Sequence, residues 1–475
     1  MAENFAALIE RVARARAERP ALAWPGGTLT WEELDLRASR CAGALSARGI
    51  HAGDRIALAF PNGWEFAVAF LGALKLGATV APLNPRLTDH ELTGITGDLA
   101  PALVMSALPE GGATIRARMP AGSPALILYT SGSTGRPKGS VFSHEALITA
   151  NRSWAGPVMS LTPDDVVLGA LPFAHSFGLN GALLAPLLAG ACVAPLDRFA
   201  PDATVDAIRA LRVTVLPAVA TMFRRLLDSP ALGAGRLASL RLALSGAAPC
   251  PWDLAQEWRE RTGVRLLRGY GMTELFRPIS YLAGDPVERP EAIGRAVPGV
   301  ELRVVDDDGA PVSPGEAGEL LIWSAARLDG YLAPPGGPDH PAVPDVPAAL
   351  GGKGWFATGD LARIGPDGLV SIVGRKKDLI LRGGYSVSPP EVEAVLSTHP
   401  AIVEAAVIGL PHPDLGEDVA AFVVLRTDAH AEPDELIAHC AIRLAAFKCP
   451  RHIRFVTSLP RSETGKVQKW RLPAL

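Results

Sequence analysis

Two hydrophobic rhythms alternate along the first half of the chain. Short apolar runs at 55–60, 80–83, 103–105, 125–129, 213–216, 240–245 and 264–267 read as strands. Between several of them lie segments of about a dozen residues with helical spacing of apolar positions, at 64–76, 201–211, 219–228 and 251–262. Strands that alternate with helices predict an α/β fold with a parallel sheet. Local punctuation agrees with that reading. Thr30 and Glu33 form a capping box for a helix running to about Arg48 and stopping at Gly49. Pro61-Asn62-Gly63 is a turn, and Gly77 closes the helix at 64–76.

The texture then changes. Segment 107–124 is a Gly/Pro/Ala linker without periodicity. Segment 182–196 is uncharged and apolar, but it is too short to span a membrane and is divided by Pro186, Gly190 and Pro195. It predicts a buried helix followed by a strand. From Val300 the pattern is β-rich, with strands at 301–305 and 319–323 separated by turns. Residues 333–352 read as an exposed Pro/Gly-rich loop. Beyond residue 377, helix patterns at 390–397 and 433–444 and strand patterns at 405–408 and 419–425 suit a small α+β domain. A chain of 475 residues exceeds one core, so a division into 1–376 and 377–475 is expected.

Composition narrows the function classes. Hydrophobic content of 48% and charged content of 20% are those of a globular protein. A net charge of −3 gives no reason to expect a nucleic-acid or anionic-membrane partner. The N-terminus carries Glu3 and Glu10 and has no apolar signal region, so it reads as an amphipathic helix. Five cysteines, scattered and without metal or redox spacing, suit a reducing cytoplasm.

The chemistry starts at ALILYTSGSTGRPKGSVFSH, residues 125–144. A strand ends in a loop of hydroxyls and glycines, Thr130, Ser131, Gly132, Ser133, Thr134 and Gly135, followed by Lys138. Glycines let backbone N–H groups approach an anion, hydroxyls add donors, and the lysine adds charge. The bland alternative is a Ser/Gly hairpin turn. The glycine-to-lysine spacing excludes a Walker A loop. Downstream follow SGAAP (245–249), YGMTE (270–274), TGD (358–360), GRKKD (374–378) and Pro460-x-x-x-x-Gly465-Lys466. Each alone reads equally well as a turn. Two of them follow predicted parallel strands, where open α/β sheets bind ligands.

In that order and spacing, the motifs resemble those of the adenylate-forming superfamily from end to end, most closely the acyl- and aryl-CoA synthetases, including chlorobenzoate-type ligases. The resemblance implies a large N-terminal domain of α/β layers plus a β-rich subdomain, and a small mobile C-terminal domain. It implies ATP, Mg²⁺ and coenzyme A. Thr130, Ser131, Thr134 and Lys138 would hold the β- and γ-phosphates, and Gly246, Ala247 and Ala248 the adenine, with Tyr270 stacked on it. Thr273 would contact the α-phosphate and Glu274 would hold Mg²⁺. Asp360, with Arg375 nearby, would bind the ribose. Lys466 would bridge the substrate carboxylate and the α-phosphate. Rotation at Lys377 would then remove Lys466 and bring Gly383, Gly384 and Tyr385 to the pantetheine tunnel. His175 matches a position between carboxylate and thiol, although a hydrogen-bonded core histidine is its bland reading. Arg86, Phe447 and Arg451 would bind the CoA nucleotide.

The acid is less legible. No aspartate near residues 173–175 is present to hold an α-amine. Phe177, Leu179, Val219, Gly269, Met272 and Phe276 are expected to line the acyl pocket. Glycine stands at 269, where malonate-type enzymes carry arginine, and this leaves room that favours an aryl or medium-chain acid. Arg277 either points into solvent, the simpler reading, or pairs with a second polar group on the acid. Two other functions stay open: loading of an acyl carrier protein, and nucleotide binding without catalysis. Either a monomer or a homodimer is compatible with the sequence.

Overall fold

The computed structural model describes residues 4–115, 120–130, 138–233, 235–285, 289–332, 354–382, 385–413, 415–461 and 465–474. The chain packs as two compact units, Met1–Glu301 with Trp323–Asp345, and Leu302–Ile322 with Val346–Leu475. Packing thus groups the β-rich segment after residue 301 with the C-terminal part. No helix among the described residues is long and apolar enough to cross a membrane.

The first unit holds a seven-stranded sheet in the order Arg265–Leu267, Leu242–Ser245, Val215–Ala218, Val166–Gly169, Cys192–Pro195, Pro20–Trp24, Gly27–Thr30. All neighbours but the last pair are parallel. Val193, Leu216, Ala243 and Leu267 are fully buried, which explains why their strands read as unbroken apolar runs rather than alternating ones; Leu168 is fully buried too, on a strand, Val166–Gly169, absent from that reading. A six-stranded sheet runs Gly330–Tyr331, Lys138–Ser143, Pro124–Thr130, Thr79–Pro82, Arg55–Leu58, Leu103–Met105. Its parallel part, from Pro124–Thr130 outward, is the one the rhythm predicts. The helix Trp31–Ala47 opens on the expected Thr30/Glu33 capping box, and Gly77 (φ 86°) ends Trp64–Leu76. Segment 182–196 is helical through Ala189, turns at Gly190 and forms the strand Cys192–Pro195.

Several elements depart from the sequence reading. The hairpin Pro20–Trp24/Gly27–Thr30 was not expected, nor was the helix Asp89–Leu99, whose Gly94 and Gly97 blur the apolar period. The supposed linker lies against the helix Trp31–Ala47. Ile115 N–H donates to Ser39 O at 3.3 Å. A Cβ on Gly43 would come within 1.8 Å of Ala113 O. Glycine is required there by close backbone approach, not by flexibility.

The second unit carries a four-stranded sheet, Val300–Val305, Gly318–Ser324, Trp355–Ile364, Val370–Arg375. A further sheet contains Tyr385–Val387, Ile380–Arg382, Gly416–Leu425 and Ile402–His412, with His452–Phe455 parallel to Gly416–Leu425. The helices Pro389–Ser397 and Pro433–Ala441 contribute Val392, Leu396 and Leu436 to its core, against Val407 and Val419. Arg382, 6% exposed, is ion-paired with Asp418, 2% exposed, at 2.8 Å. The same guanidinium donates to Phe447 O at 2.8 Å and Cys449 O at 3.2 Å, fixing the loop that carries Phe447.

Candidate active site

Parallel pairing brings several candidate residues to one edge. Ala218 is in register with Ser245, and Leu244 with Leu267. The residues that follow these strands, Val219, Gly246–Ala248 and Gly269–Met272, therefore leave the sheet at its carboxyl edge, where α/β proteins place ligands. The strand Val166–Gly169 leads to the same edge and into the loop carrying His175. Asn62 holds that loop: its side-chain amide donates to Gly169 O at 2.9 Å and Leu171 O at 2.7 Å, and its oxygen accepts from Phe173 N–H at 2.8 Å. His175 then caps the short helix Ser176–Leu179, its Nδ1 accepting from Phe177 N–H at 3.3 Å. The sequence marks Asn62 only as part of a turn, and nothing local indicates this role.

Two non-glycine residues at the edge adopt left-handed backbone, Ala247 (φ 63°) and Phe276 (φ 57°). Such conformations persist where surrounding structure imposes them, commonly at functional sites. At Phe276 the cause is a tight hairpin. Gly269–Met272 pairs antiparallel with Phe276–Ser280 around the turn Thr273–Leu275, and a Cβ on Gly271 would come within 1.9 Å of Phe276 O. That turn carries Thr273 and Glu274. Glu274 accepts from Tyr331 Oη–H at 3.0 Å, and Lys138 Nζ lies 5.5 Å from the centre of the Tyr331 ring. One tyrosine thus joins the candidate metal carboxylate to the candidate phosphate lysine. Burial and the neighbouring carboxylate push its phenol pKa up. Tyr331 carried no sequence signal, because its partners lie far away along the chain.

Thr130 and Lys138 are register partners of antiparallel strands, so the candidate phosphate loop joins two strands and does not feed a helix. This agrees with the exclusion of a Walker A loop. Ser131, Gly132, Ser133, Thr134 and Gly135 lie outside the described residues, as do Gly383 and Gly384.

Arg277 corrects two expectations. It does not point into solvent: the side chain is 5% exposed. Its Nε donates to Ser280 Oγ at 2.9 Å and its Nη1 to Ser245 O at 2.8 Å. The guanidinium also fills the space expected to be open at Gly269. A Cβ there would come within 2.4 Å of Nη2 and 2.5 Å of Cζ. A Cβ on Gly246 would meet Nη1 at 3.0 Å and the Phe177 ring at 2.9 Å. The physical reason is the hairpin, which turns residue 277 inward over the two glycines, with Trp154 5.5 Å away as a cation–π partner. Of the other pocket candidates, Phe177 and Leu179 are buried, Val219 and Met272 are half-buried, and the Phe276 ring packs on Phe142 at 4.5 Å.

In the second unit, Asp360 and Arg375 are register partners of adjacent strands, and Arg375 Nε donates to the Asp360 carboxylate at 2.8 Å. Asp360 is 3% exposed there. Arg451 is 61% exposed and lies 3.9 Å from Asp418. Lys466 and, in the first unit, Arg86 are exposed.

Comparison with known proteins places the chain in a family. Residues 9–332 match the family described as AMP-binding enzyme, and residues 391–466 match the AMP-binding enzyme C-terminal domain. The chain is 35% identical to a feruloyl-CoA synthase of an Amycolatopsis species, covering 97% of this chain and 96% of that one. It is 32% identical to a sulfoacetate–CoA ligase of Cupriavidus necator, covering 99% and 97%. Among solved structures, ATP-bound MatB from Rhodopseudomonas palustris is similar with a TM-score of 0.87 and 34% identity, covering 99% and 98%. The chain belongs to the AMP-binding enzyme family and is an ATP-dependent acyl-CoA ligase that works through an acyl-adenylate.

Proposed function

We propose that this ligase activates an aryl or medium-chain carboxylic acid at the carboxyl edge of the seven-stranded sheet and transfers the acyl group to the thiol of free coenzyme A. The observation that carries the placement is the convergence of Val219, Gly246–Ala248, Gly269 and the Thr273–Glu274 turn at that edge. A carboxylate is a poor electrophile and its attack on ATP brings two anions together, so the site needs cations and needs no general base. Lys138 and the residues around it bind the departing pyrophosphate. Gly246, Ala247, Ala248 and Tyr270 hold the adenine, Thr273 the α-phosphate, and Asp360 with Arg375 the ribose.

Glu274 fits a magnesium ion. It is a hard oxygen donor, half-exposed, with one carboxylate oxygen bonded to Tyr331 and the other without a hydrogen-bond partner among the described residues. Bound there, Mg²⁺ would neutralise phosphate charge. Tyr331 orients the carboxylate for it.

Lys466 serves adenylation, meeting the substrate carboxylate and α-phosphate. The segment after residue 376 then turns about Lys377, and Gly383, Gly384 and Tyr385 guide the pantetheine toward His175. Arg86 and Arg451, both exposed, suit CoA phosphates, and Phe447 suits its adenine. None of the five cysteines forms a disulfide, which supports a reducing, cytoplasmic setting, and the protein acts as a monomer or a homodimer.

Acid-dependent pyrophosphate release over a broad carboxylate panel, followed by thioester formation with CoA or with a holo carrier protein, tests the reading. Release with aryl or medium-chain acids and thioester with CoA is expected. Thioester only with the carrier protein would overturn the assignment of the acceptor, and no acid-dependent release would overturn the activity.

A further inference from the structure

Arg277 is a buried cation without a carboxylate partner among the described residues; its electrostatic neighbours are the Trp154 ring and the Cys250 thiol. Among the described residues no carboxylate lies within ion-pair distance of it. Its two protein partners are neutral, Ser245 O and Ser280 Oγ, and the serine hydroxyl is itself committed, donating to Tyr281 O at 2.6 Å. Nη2 has no hydrogen-bond partner. Removing a guanidinium from water without a counter-charge is strongly unfavourable, and proteins otherwise pair or expose such groups. Burial pushes its pKa down to about 10, which still leaves it charged at neutral pH.

Its surroundings show a built position. The guanidinium lies beside Gly246 and Gly269 and 5.5 Å from the Trp154 ring centre, and the Phe177 ring also stands close to Gly246. A side chain at Gly269 would collide with it, and one at Gly246 would crowd it and collide with the Phe177 ring. Gly246, Gly269 and Phe177 are residues assigned above to the adenine slot and the acyl pocket. The unsatisfied donor therefore sits among residues proposed for the adenine slot and the acyl pocket.

We infer that the acid carries a second anionic group, a carboxylate or sulfonate remote from the carboxylate being activated, and that Arg277 neutralises it. This rests on the ligase reading and narrows its substrate to a doubly charged acid whose body packs on Phe177. A planar guanidinium with a free Nη2 edge suits an oxyanion better than it suits an alkyl or unsubstituted aryl terminus. Arg277 is then the specificity residue for the acid.

The test compares acids matched in length: alkanoates against α,ω-dicarboxylates, benzoate against carboxy- and sulfobenzoates. Pyrophosphate release is read for wild type, Arg277→Lys and Arg277→Met. Wild type should favour the dianions by roughly 10²-fold in kcat/KM, Arg277→Lys should keep part of that preference, and Arg277→Met should reverse it, with the KM for ATP unmoved. Preference for monoanions in wild type, or a raised KM for ATP in Arg277→Met without change in acid preference, would overturn the inference. Should wild type release no pyrophosphate with any acid, the ligase reading fails separately. Thermal shift then decides the inference, since dianions and not monoanions should raise Tm in wild type and in Arg277→Lys. Equal shifts from both classes would reject it. Circular dichroism of each variant identifies loss of folding, and Arg277→Lys keeps the test valid if the methionine variant does not fold.

Discussion

The guanidinium of Arg277 occupies the space beside Gly269 that any side chain there would need: a Cβ would lie 2.4 Å from Nη2 and 2.6 Å from Nε. Gly269→Ala must therefore displace Arg277 from Ser245 O and Ser280 Oγ. Overpacking of this kind costs about 1–3 kcal/mol. A lowered Tm together with a raised KM for the acid is expected. A variant with the wild-type KM would show that the guanidinium position does not matter for substrate.

Asn62 reaches across 111 residues to hold Phe173 N–H and, with its amide, two carbonyls of the same loop. Asn62→Ala should leave these groups unsatisfied at a cost of about 1–3 kcal/mol. Because the loop leads directly to His175, the loss should appear in kcat/KM for the acid as well as in denaturant unfolding. Lost stability with unchanged kinetics would restrict Asn62 to a structural role.

The Arg382–Asp418 pair anchors the loop of Phe447 and Cys449. Asp418→Asn removes one partner from a buried pair, a change that costs about 3–5 kcal/mol. Thioester formation should weaken through a raised KM for CoA, while acid-dependent pyrophosphate release persists. Stopped-flow assays of the two half-reactions would separate these outcomes. Equal loss of both would mean that the loop does not serve CoA selectively.

His144 is fully buried, accepts Phe5 N–H on Nδ1 at 3.3 Å, and has its pKa pushed down to about 4 by burial. The unfolded histidine titrates near the usual 6.5, so between these values the unfolded state binds more protons. Stability is therefore fully present above about pH 6.5 and falls as pH drops toward 4, by about 3 kcal/mol. Urea unfolding from pH 7.5 to 4.5 should show this slope in wild type and a flatter one in His144→Gln. Parallel slopes would assign acid sensitivity to other groups.

Lys466 is exposed. With the role proposed for it, Lys466→Ala should reduce adenylation by roughly 10²–10³ and spare thioester formation from supplied acyl-adenylate. Equal damage to both half-reactions would contradict a lysine that serves only the first.

Sequence alone determined the features whose causes are local. The Thr30/Glu33 capping box and the Gly77 stop involve neighbours within one helical turn, and both stand where the pattern places them. Apolar runs such as 240–245 marked strands buried on both faces, although Leu242–Ser245 and Val215–Ala218 each begin two residues later than their runs. The loop after Thr130 and the motif order carried the family. Tertiary structure decided what depends on partners distant along the chain. Tyr331 meets Glu274 because the short strand Gly330–Tyr331 pairs with Lys138–Ser143. Asn62 looks like any turn residue until the loop 169–173 is folded over it. Arg277 is the sharpest case. A strand residue can face solvent or core, and composition favours solvent for arginine. The hairpin over Gly246 and Gly269 turned it inward, and only three-dimensional packing could bring two glycines and Trp154 around one guanidinium.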